Sequence, residues 1–317
     1  MNDFQEQYKM LNDGQRKAVD TLEGPVIVIA GPGTGKTQIL TLRIANILKQ
    51  TGDDIGPENI LALTFTNAGV VAMRERLATF VGAEEAYRTN IYSFHSFCEE
   101  QIGLHSDYFS SIIYSRVASD VEKIHIVEDI LENNDFETLK TFASSFHYIR
   151  DILSAIDDLK REGVSPSDFV VKIKLQEEGI LVDPDSYYKR NTKKNKKGDL
   201  KPDALKHVVK NRELQKVYEL YQEKLKEKKL YDFTDMIMQF VEVAENNEEL
   251  GSILREQYRY LLVDEHQDTN EGQNRIIDVI ASSKHLGSDP NLFTVGDDKQ
   301  AIYRFQGANV ESFMNFG

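Results

Sequence analysis

Cysteine is almost absent from this sequence of 317 residues, in which Cys98 is the only one. A single thiol cannot form a disulfide within the chain, and it cannot supply the several sulfur ligands of a structural zinc or iron–sulfur site. Disulfide-stapled scaffolds and cysteine-based metal proteins are therefore excluded. Such cysteine usage is typical of chains that stay in a reducing compartment, so we expect a cytoplasmic location.

Long apolar runs are also lacking. No stretch approaches the roughly 18 consecutive apolar residues that a membrane-spanning helix needs. The N-terminus shows no apolar core of a secretory signal, since it reads MNDFQEQYKMLNDGQ. We therefore expect no membrane partner. Hydrophobic residues make up 40% of the chain and charged residues 28%, which is typical of a globular protein long enough for two domains.

Basic residues are in deficit, with 38 Lys and Arg against 52 Asp and Glu and a net charge of −14. A chain this acidic lacks the overall positive field that is typical of nucleic-acid-binding proteins. The segment 189–201 departs from that average, because KRNTKKNKKGDLK contains seven basic residues and one acidic residue. It has no apolar periodicity and is predicted to be an exposed loop, either a solvated connector or a contact for a phosphate backbone.

The strongest local pattern is a phosphate-binding loop within residues 26–37, VIVIAGPGTGKT. The four leading apolar residues predict a strand buried on both faces, and the apolar spacing after the loop predicts a helix. Glycines let backbone N–H groups turn toward phosphate oxygens, and the helix N-terminus adds partial positive charge. Lys36 is expected to reach the phosphates and Thr37 to ligate Mg²⁺, which predicts a nucleoside triphosphate site. Its residues are Gly31, Pro32, Gly33, Thr34, Gly35, Lys36 and Thr37.

Further strand candidates predict an α/β fold with a doubly wound parallel sheet. Ligands of such sheets bind at the carboxyl ends of strands, so Asp264 and Glu265 are expected beside the phosphate loop. One carboxylate would hold hydrated Mg²⁺ and the other would orient or deprotonate a water. Residues from about 99 to 230 instead show helical periodicity, including one long charged helix at 211–229. The additional strand candidates are 60–66, 89–97, 260–265 and 292–295.

Seven stretches together resemble the motifs of the UvrD/Rep/PcrA-type superfamily 1 DNA helicases, in that family's order and spacing. The most specific are VDEHQDTN and VGDDKQAIYRFQGA. The resemblance implies a RecA-like P-loop NTPase domain over 1–108 and 216–317, with a mainly helical subdomain inserted at 109–215. The seven stretches are Leu11–Val19, Ala30–Thr37, Thr64–Arg76, Ser93–Phe97, Asp232–Ile237, Leu262–Asn270 and Val295–Ala308.

The resemblance also implies roles for individual residues. Gln15 is expected to read adenine, Asp264 to hold Mg²⁺ with Thr37, and Glu265 to act as the catalytic base. Lys36 would bind the phosphates. Gln300 would sense the γ-phosphate and link nucleotide state to the grip on DNA. The residues that would contact single-stranded DNA, by stacking on bases or touching the backbone, are Phe65, Asn67, His95, Ser96, Phe233, Tyr303 and Phe305.

The chain departs from the family pattern at several of these motifs. The family usually has Tyr or Phe where His266 stands, so this contact becomes polar. It has Arg where Gln38 and Gln306 stand, and Lys where Ala68 stands, so three positive charges are missing from the motifs.

For the full-length protein, the resemblance implies ATP- and Mg²⁺-dependent 3′–5′ translocation on single-stranded DNA and unwinding of duplex DNA. The family continues into a second RecA-like domain that supplies arginine fingers, whereas this sequence stops at Gly317. We therefore expect this chain alone to be nearly inactive as an ATPase. Two alternatives stay open: a non-hydrolysing ATP- or partner-binding module, and the motor part of a helicase–nuclease complex.

Overall fold

The computed structural model describes residues 3–139, 148–191, 195–281 and 290–297. Within them, the chain forms two compact units: residues 3–110 with the described part of 236–297, and the described part of 111–235. None of the described helices is long and apolar enough to cross a membrane. The candidate site residues that lie outside the described residues are Gln300, Tyr303 and Phe305.

Helices and strands alternate through the first unit, whereas helices dominate the second. The strands, in chain order, are β1 (Val26–Ile29), β2 (Ile60–Thr64), β3 (Asn90–Ser93), β4 (Arg116–Val117), β5 (Leu230–Tyr231), β6 (Tyr260–Val263) and β7 (Asn291–Gly296). The α-helices are α1 (Asp3–Lys9), α2 (Asp13–Asp20), α3 (Lys36–Thr51), α4 (Asn67–Val81), α5 (Ala83–Arg88), α6 (Phe94–Leu104), α7 (Ser110–Ile113), α8 (Asp120–Glu132), α9 (Ile149–Arg161), α10 (Pro166–Val182), α11 (Lys206–Glu227), α12 (Phe233–Asn246), α13 (Glu248–Gln257) and α14 (Glu271–Ala281).

A five-stranded sheet in the order β1-β7-β6-β2-β3 organises the first unit. Every pairing in it is parallel, which confirms the predicted α/β class. Parallel strands need crossover connections, and helices supply them here. The register aligns the carboxyl ends of the strands, so the segments that follow them meet along one edge of the sheet. The register pairs Ile29 with Gly296, Thr294 with Val263, Val263 with Leu63, and Thr64 with Ser93.

Strand β1 differs from the prediction that it is buried on both faces. Its position at the edge of the described sheet leaves Ile27 77% exposed and Ile29 67% exposed, while Val26 and Val28 pack toward the core. β2 and β6 lie inside the sheet and are buried at every position. An apolar run therefore shows which side chains tolerate burial, but the position of the strand in the sheet decides which faces are covered.

The second unit is mainly helical, with an apolar core that combines residues of α8, α9, α10 and α11. It also contains a two-stranded parallel sheet of β4 and β5, which the helical periodicity did not predict. The expected domain boundary at 215/216 falls inside α11, and the compact second unit extends to Asp235. The reason is that Leu214, Val217 and Tyr221 of α11 are buried in the same core on both sides of the expected boundary.

Arg43 of α3 is a buried cation that ties three elements of the first unit together. Its guanidinium donates to the carbonyls of Ala18, at 2.7 Å, of Leu22, at 3.0 Å, and of Thr21. These carbonyls lie at the C-terminal end of α2, where backbone acceptors lack helical partners. The same guanidinium lies 4.5 Å from the ring centre of Phe293 in β7. Burial lowers the pKa of Arg43 to about 10, so the group stays charged at neutral pH.

We expect Arg43→Met to lower the free energy of unfolding by about 2–3 kcal/mol, because buried carbonyls at the end of α2 lose their donor. The control is Arg76→Met on α4, where the arginine is exposed, and it should change stability by less than about 0.5 kcal/mol. Urea unfolding followed by circular dichroism measures both variants. A loss no larger than that of the control would show that the Arg43 contacts add no net stability.

Candidate functional site

The loop between β1 and α3 has the backbone that a phosphate site requires. Gly33 and Gly35 adopt left-handed conformations, with φ of 75° and 83°, which a residue with a side chain would adopt only under strain. Gly35 is the N-cap of α3, which begins at Lys36. The Thr34 hydroxyl donates to the Gly31 carbonyl at 2.7 Å and closes the turn. The first N–H groups of a helix have no partner within it, so this N-terminus suits an anion.

A pair of oxygen ligands lies beside the loop. The Thr37 hydroxyl donates to Oδ2 of Asp264 at 3.0 Å, because β6 and β1 end at the same edge of the sheet. Hydroxyl and carboxylate oxygens are ligands that Mg²⁺ prefers, usually together with water and substrate phosphates. Among the described residues there is no group of three or more His, Cys, Asp or Glu that could hold a metal ion by itself. The pair therefore fits a cation that arrives with a phosphate ligand.

The Asp264 carboxyl is buried without full compensation of its charge. Burial raises its pKa, the Thr37 hydroxyl lowers it in part, and the neighbouring Glu265 carboxylate raises it further. The N–H of Glu265 also donates to Oδ1 of Asp264 at 3.0 Å. A cation at this position would remove the cost of keeping the carboxylate ionised.

Glu265 follows Asp264 in a backbone conformation that is rare for its residue type. Its φ of 51° lies in the left-handed region, and such strain concentrates at functional sites. Its Oε2 lies 3.2 Å from Nζ of Lys36, so the two candidate catalytic side chains form an ion pair across the loop. The Glu265 carboxylate stays partly exposed at 36%, while Lys36 is 10% exposed.

Gln267 is a site residue that the sequence analysis did not single out. Its Nε2 donates to Oε2 of Glu265 at 2.7 Å, and its Oε1 accepts from the N–H of Asp297 at 3.0 Å. The amide thus joins the Glu265 turn to the end of β7. A Cβ at Gly296 would lie 3.0 Å from Oε1 of Gln267, so the glycine provides the space for this contact. The available signal was the position of Gln267 two residues after Glu265 in the VDEHQDTN motif.

Gln15 of α2 reaches the phosphate loop from the other side. Asn12 caps α2, and the Gln15 side chain accepts from the Asn12 N–H at 3.0 Å. The Gln15 amide also donates to the Thr34 carbonyl at 3.1 Å. A cleft of ≈ 730 Å³ lies beside these groups, lined by α2, β1 and the loop. The carboxamide is therefore placed at the opening where a base joined to loop-bound phosphates would enter.

Four of the DNA-contact candidates follow β2 and β3 at the carboxyl edge of the sheet. Phe65 is exposed directly after β2. Asn67 begins α4 and accepts a hydrogen bond from the Ser93 hydroxyl at 3.0 Å, which joins the ends of the two strands. His95 and Ser96 follow β3. A fifth candidate, Phe233, lies at the start of α12 in the second unit and is described below.

The strand predicted at 89–97 is wrong beyond residue 93. Ser93 caps α6 through a reciprocal pair of hydrogen bonds with Ser96, so both predicted backbone-contact residues lie in the first turn of a helix. Phe97 and Cys98 lie on this helix and are fully buried. The S-x-x-S spacing was the missed signal, since a hydroxyl side chain at the N-cap commonly accepts from the third residue of a helix.

Comparison with known proteins shows related sequences along almost the whole chain. The family model of the UvrD/REP helicase N-terminal domain matches residues 11–317. The chain is 29% identical over 306 residues to the ATP-dependent DNA helicase PcrA of Staphylococcus aureus, covering 96% of this chain and 36% of that protein. It is 32% identical over 308 residues to the probable DNA helicase II homolog of Rickettsia conorii, covering 96% and 40%. The chain thus spans less than half the length of these relatives.

We expect Asp264→Asn to stabilise the ligand-free protein at pH 7. Because burial raises the pKa of Asp264, stability is lost as pH rises from the unfolded pKa through the raised folded pKa, and removing the charge restores it. The unfolding midpoint in differential scanning calorimetry should rise by about 2–4 °C. Near pH 3, the Asp264 carboxyl is largely protonated in both the folded and the unfolded chain, so the gain in midpoint should shrink.

The control is Glu75→Gln, which removes an exposed carboxylate from α4. Its midpoint should stay unchanged at both pH values. A lowered midpoint for Asp264→Asn at pH 7 would mean that Thr37 and Lys36 already compensate the buried charge.

Proposed function

The chain belongs to the UvrD/REP helicase N-terminal domain family, and we propose that it is the MgATP-binding half of a motor that moves on single-stranded DNA. The observation that carries the proposal is the convergence of two pairs at the phosphate loop. Thr37 lies 3.0 Å from Asp264, and Lys36 lies 3.2 Å from Glu265. Together they offer a cation ligand set, a phosphate-binding ammonium and a carboxylate able to accept a proton from water.

Different residues in and around the phosphate loop bind the nucleotide and support its hydrolysis in this proposal. The N–H groups at the start of α3 and the Lys36 ammonium bind the phosphates, and the Gln15 amide contacts the adenine. Thr37 and Asp264 would hold Mg²⁺, whose charge would offset that of the β- and γ-phosphates. When a phosphate binds Lys36, the ion pair between Lys36 and Glu265 is broken. Glu265 can then orient a water for in-line attack.

Exposed aromatic side chains supply the DNA surface of the proposal. Phe65 follows β2, and Phe233 begins α12, where its side chain is 56% exposed. Stacking on a base is worth roughly 1–3 kcal/mol and accepts any sequence, which suits a motor that steps along a strand. His95 and Ser96 would contact the backbone. In the full-length protein, a second RecA-like domain would complete the ATP site, with 3′–5′ unwinding of duplex DNA in the cytoplasm as the outcome.

A module that binds ATP without hydrolysing it is the less favoured alternative. Such a module would need the loop and a cation ligand, but it would not need a carboxylate held in a strained backbone conformation. Glu265 has both that conformation and a hydrogen bond from Gln267, which supports a catalytic role.

We expect Lys36→Ala to abolish MgATP binding in isothermal titration calorimetry while the fold stays intact, because the variant removes the ammonium that would bind the phosphates. The control is Lys49→Ala, an exposed lysine near the other end of α3. Phosphate release by the chain should be slow, since an arginine finger contributes about 10³–10⁵ in rate and the resemblance assigns it to the second domain.

Two results would contradict these expectations. Unchanged MgATP affinity in Lys36→Ala would remove the nucleotide assignment. A strong rate stimulated by single-stranded DNA and abolished by Glu265→Gln would confirm the base but show that the chain completes its own catalytic site.

The basic segment 189–201 is a second DNA contact in this proposal. Within its described residues, the N–H of Tyr188 donates to the Asp199 carbonyl and the N–H of Gly198 donates to the Tyr188 carbonyl, both at 2.9 Å. This pairing presents the exposed Lys196 and Lys197 at one end. Lys193 and Lys194 lie outside the described residues.

We expect Lys196→Gln with Lys197→Gln to weaken binding of single-stranded DNA, because two phosphate contacts are lost. The slope of log affinity against log salt concentration should become shallower by about 1.4. The control replaces the exposed Lys174 and Lys206 with Gln, and its slope should stay the same. Fluorescence anisotropy over a salt series measures both, and an unchanged slope in the loop variant would leave the segment as a solvated connector.

A further inference from the structure

A lysine is buried in the second unit together with two carboxylates. Lys160 of α9 is 2% exposed, and its ammonium lies 2.5 Å from Oδ2 of Asp232 and 2.7 Å from Oδ1 of Asp235. The ring centres of Tyr221 and Tyr218 lie 5.1 Å and 6.0 Å from the same ammonium. Neither the nucleotide site nor the basic segment uses this cluster.

The two carboxylates cap the start of α12 reciprocally. The N–H of Asp235 donates to Asp232 at 2.9 Å, and the N–H of Asp232 donates to Asp235 at 3.1 Å. The Gln222 amide adds a further donor to Asp235 at 2.9 Å. Burial opposes the ionisation of both groups. At Asp232 the Lys160 ammonium outweighs burial and lowers the pKa, whereas at Asp235 burial prevails and raises it.

Phe233 and Thr234 lie between the two capping residues. The Thr234 hydroxyl donates to Asp157 of α9 at 2.5 Å, and Asp157 also pairs with Arg161 at 2.8 Å. In the turn formed by residues 232–235, the side chains of Asp232, Thr234 and Asp235 therefore all bond to residues of α9. The side chain of Phe233 in the same turn remains 56% exposed. The cluster fixes the backbone on both sides of an exposed aromatic ring.

Stability alone does not account for this arrangement. An exposed aspartate can cap a helix without a buried ammonium. Removing two carboxylates and an ammonium from water is costly, and apolar residues of similar volume often stabilise a fold as well or better. What the ionic cluster adds is a defined geometry, since supporting polar contacts are what hold a binding side chain in one orientation.

We propose that Lys160 is a positioning residue, which pairs with both carboxylates of the Asp232–Asp235 capping pair and thereby fixes Phe233 in the orientation that stacks on a base of single-stranded DNA. Lys160 itself touches no nucleic acid in this arrangement. The inference rests on the proposed function, because it requires that Phe233 contact DNA. It assigns a role to a buried group that no motif of the sequence analysis contains.

The test separates base stacking from charge. Binding of an oligothymidine is compared with binding of an abasic oligonucleotide of the same length, because the two share phosphates but only the first offers bases. Wild type should prefer the oligothymidine. Phe233→Ala and Lys160→Met should each reduce that preference by roughly tenfold. Affinity for the abasic strand, its salt dependence and MgATP affinity should stay unchanged in both variants.

The control is Lys224→Met, which removes a lysine paired with Asp129 at 2.6 Å in the same unit. It should leave the preference at the wild-type value. Thr234→Val provides a milder second variant if Lys160→Met fails to fold, because it removes only the hydroxyl that bonds Asp157. It should reduce the preference by a few fold.

The outcomes distinguish the inference from the proposed function. A folded Lys160→Met with the wild-type preference, or in its place a Thr234→Val with that preference, overturns the positioning role and leaves a Phe233→Ala loss as support for the DNA contact. If wild type binds neither oligonucleotide, the DNA part of the proposed function fails and the inference fails with it. Parallel losses in Phe233→Ala and Lys160→Met, absent from Lys224→Met, support both.

Discussion

The hydrogen bond between Thr37 and Asp264 joins two segments that are 227 residues apart in the chain, and the candidate site depends on it. Neither segment can form the site locally, because one contributes the loop and the other the carboxylates. The parallel sheet brings them together by ending β1, β7 and β6 at the same edge. The entropic cost of closing a long loop grows only slowly with its length, so a whole unit can be inserted between the two halves.

Sequence alone was sufficient where the chemistry is local. The turn from β1 through Gly33 and Gly35 into α3 depends on residues that are adjacent in the chain, so the sequence predicts it directly. Strand β6 is likewise predicted by the four apolar residues before Asp264. It was insufficient where tertiary placement decides. The open face of Ile27 follows from an edge position, and the role of Gln267 follows from the arrival of β7 beside it.

Buried charge serves three different ends in this chain. Arg43 donates to backbone carbonyls and links elements of the first unit. Lys160 is matched by carboxylates and fixes a turn. Asp264 is under-compensated, so its environment favours the arrival of a cation. Arg43 and Lys160 therefore bind groups of the fold itself, whereas Asp264 lies beside the phosphate loop, where the proposed Mg²⁺ would bind.

The burial of Cys98 makes the only thiol of the chain poorly reactive toward thiol reagents. The side chain is fully enclosed by α6 and its neighbours, and burial raises the pKa of the thiol, so little reactive thiolate forms at neutral pH. If one cysteine were introduced at an exposed position in each unit, these two thiols would be the ones that react with maleimide dyes or spin labels. Distances between the two units could be followed by energy transfer during nucleotide and DNA binding, without first removing a native cysteine.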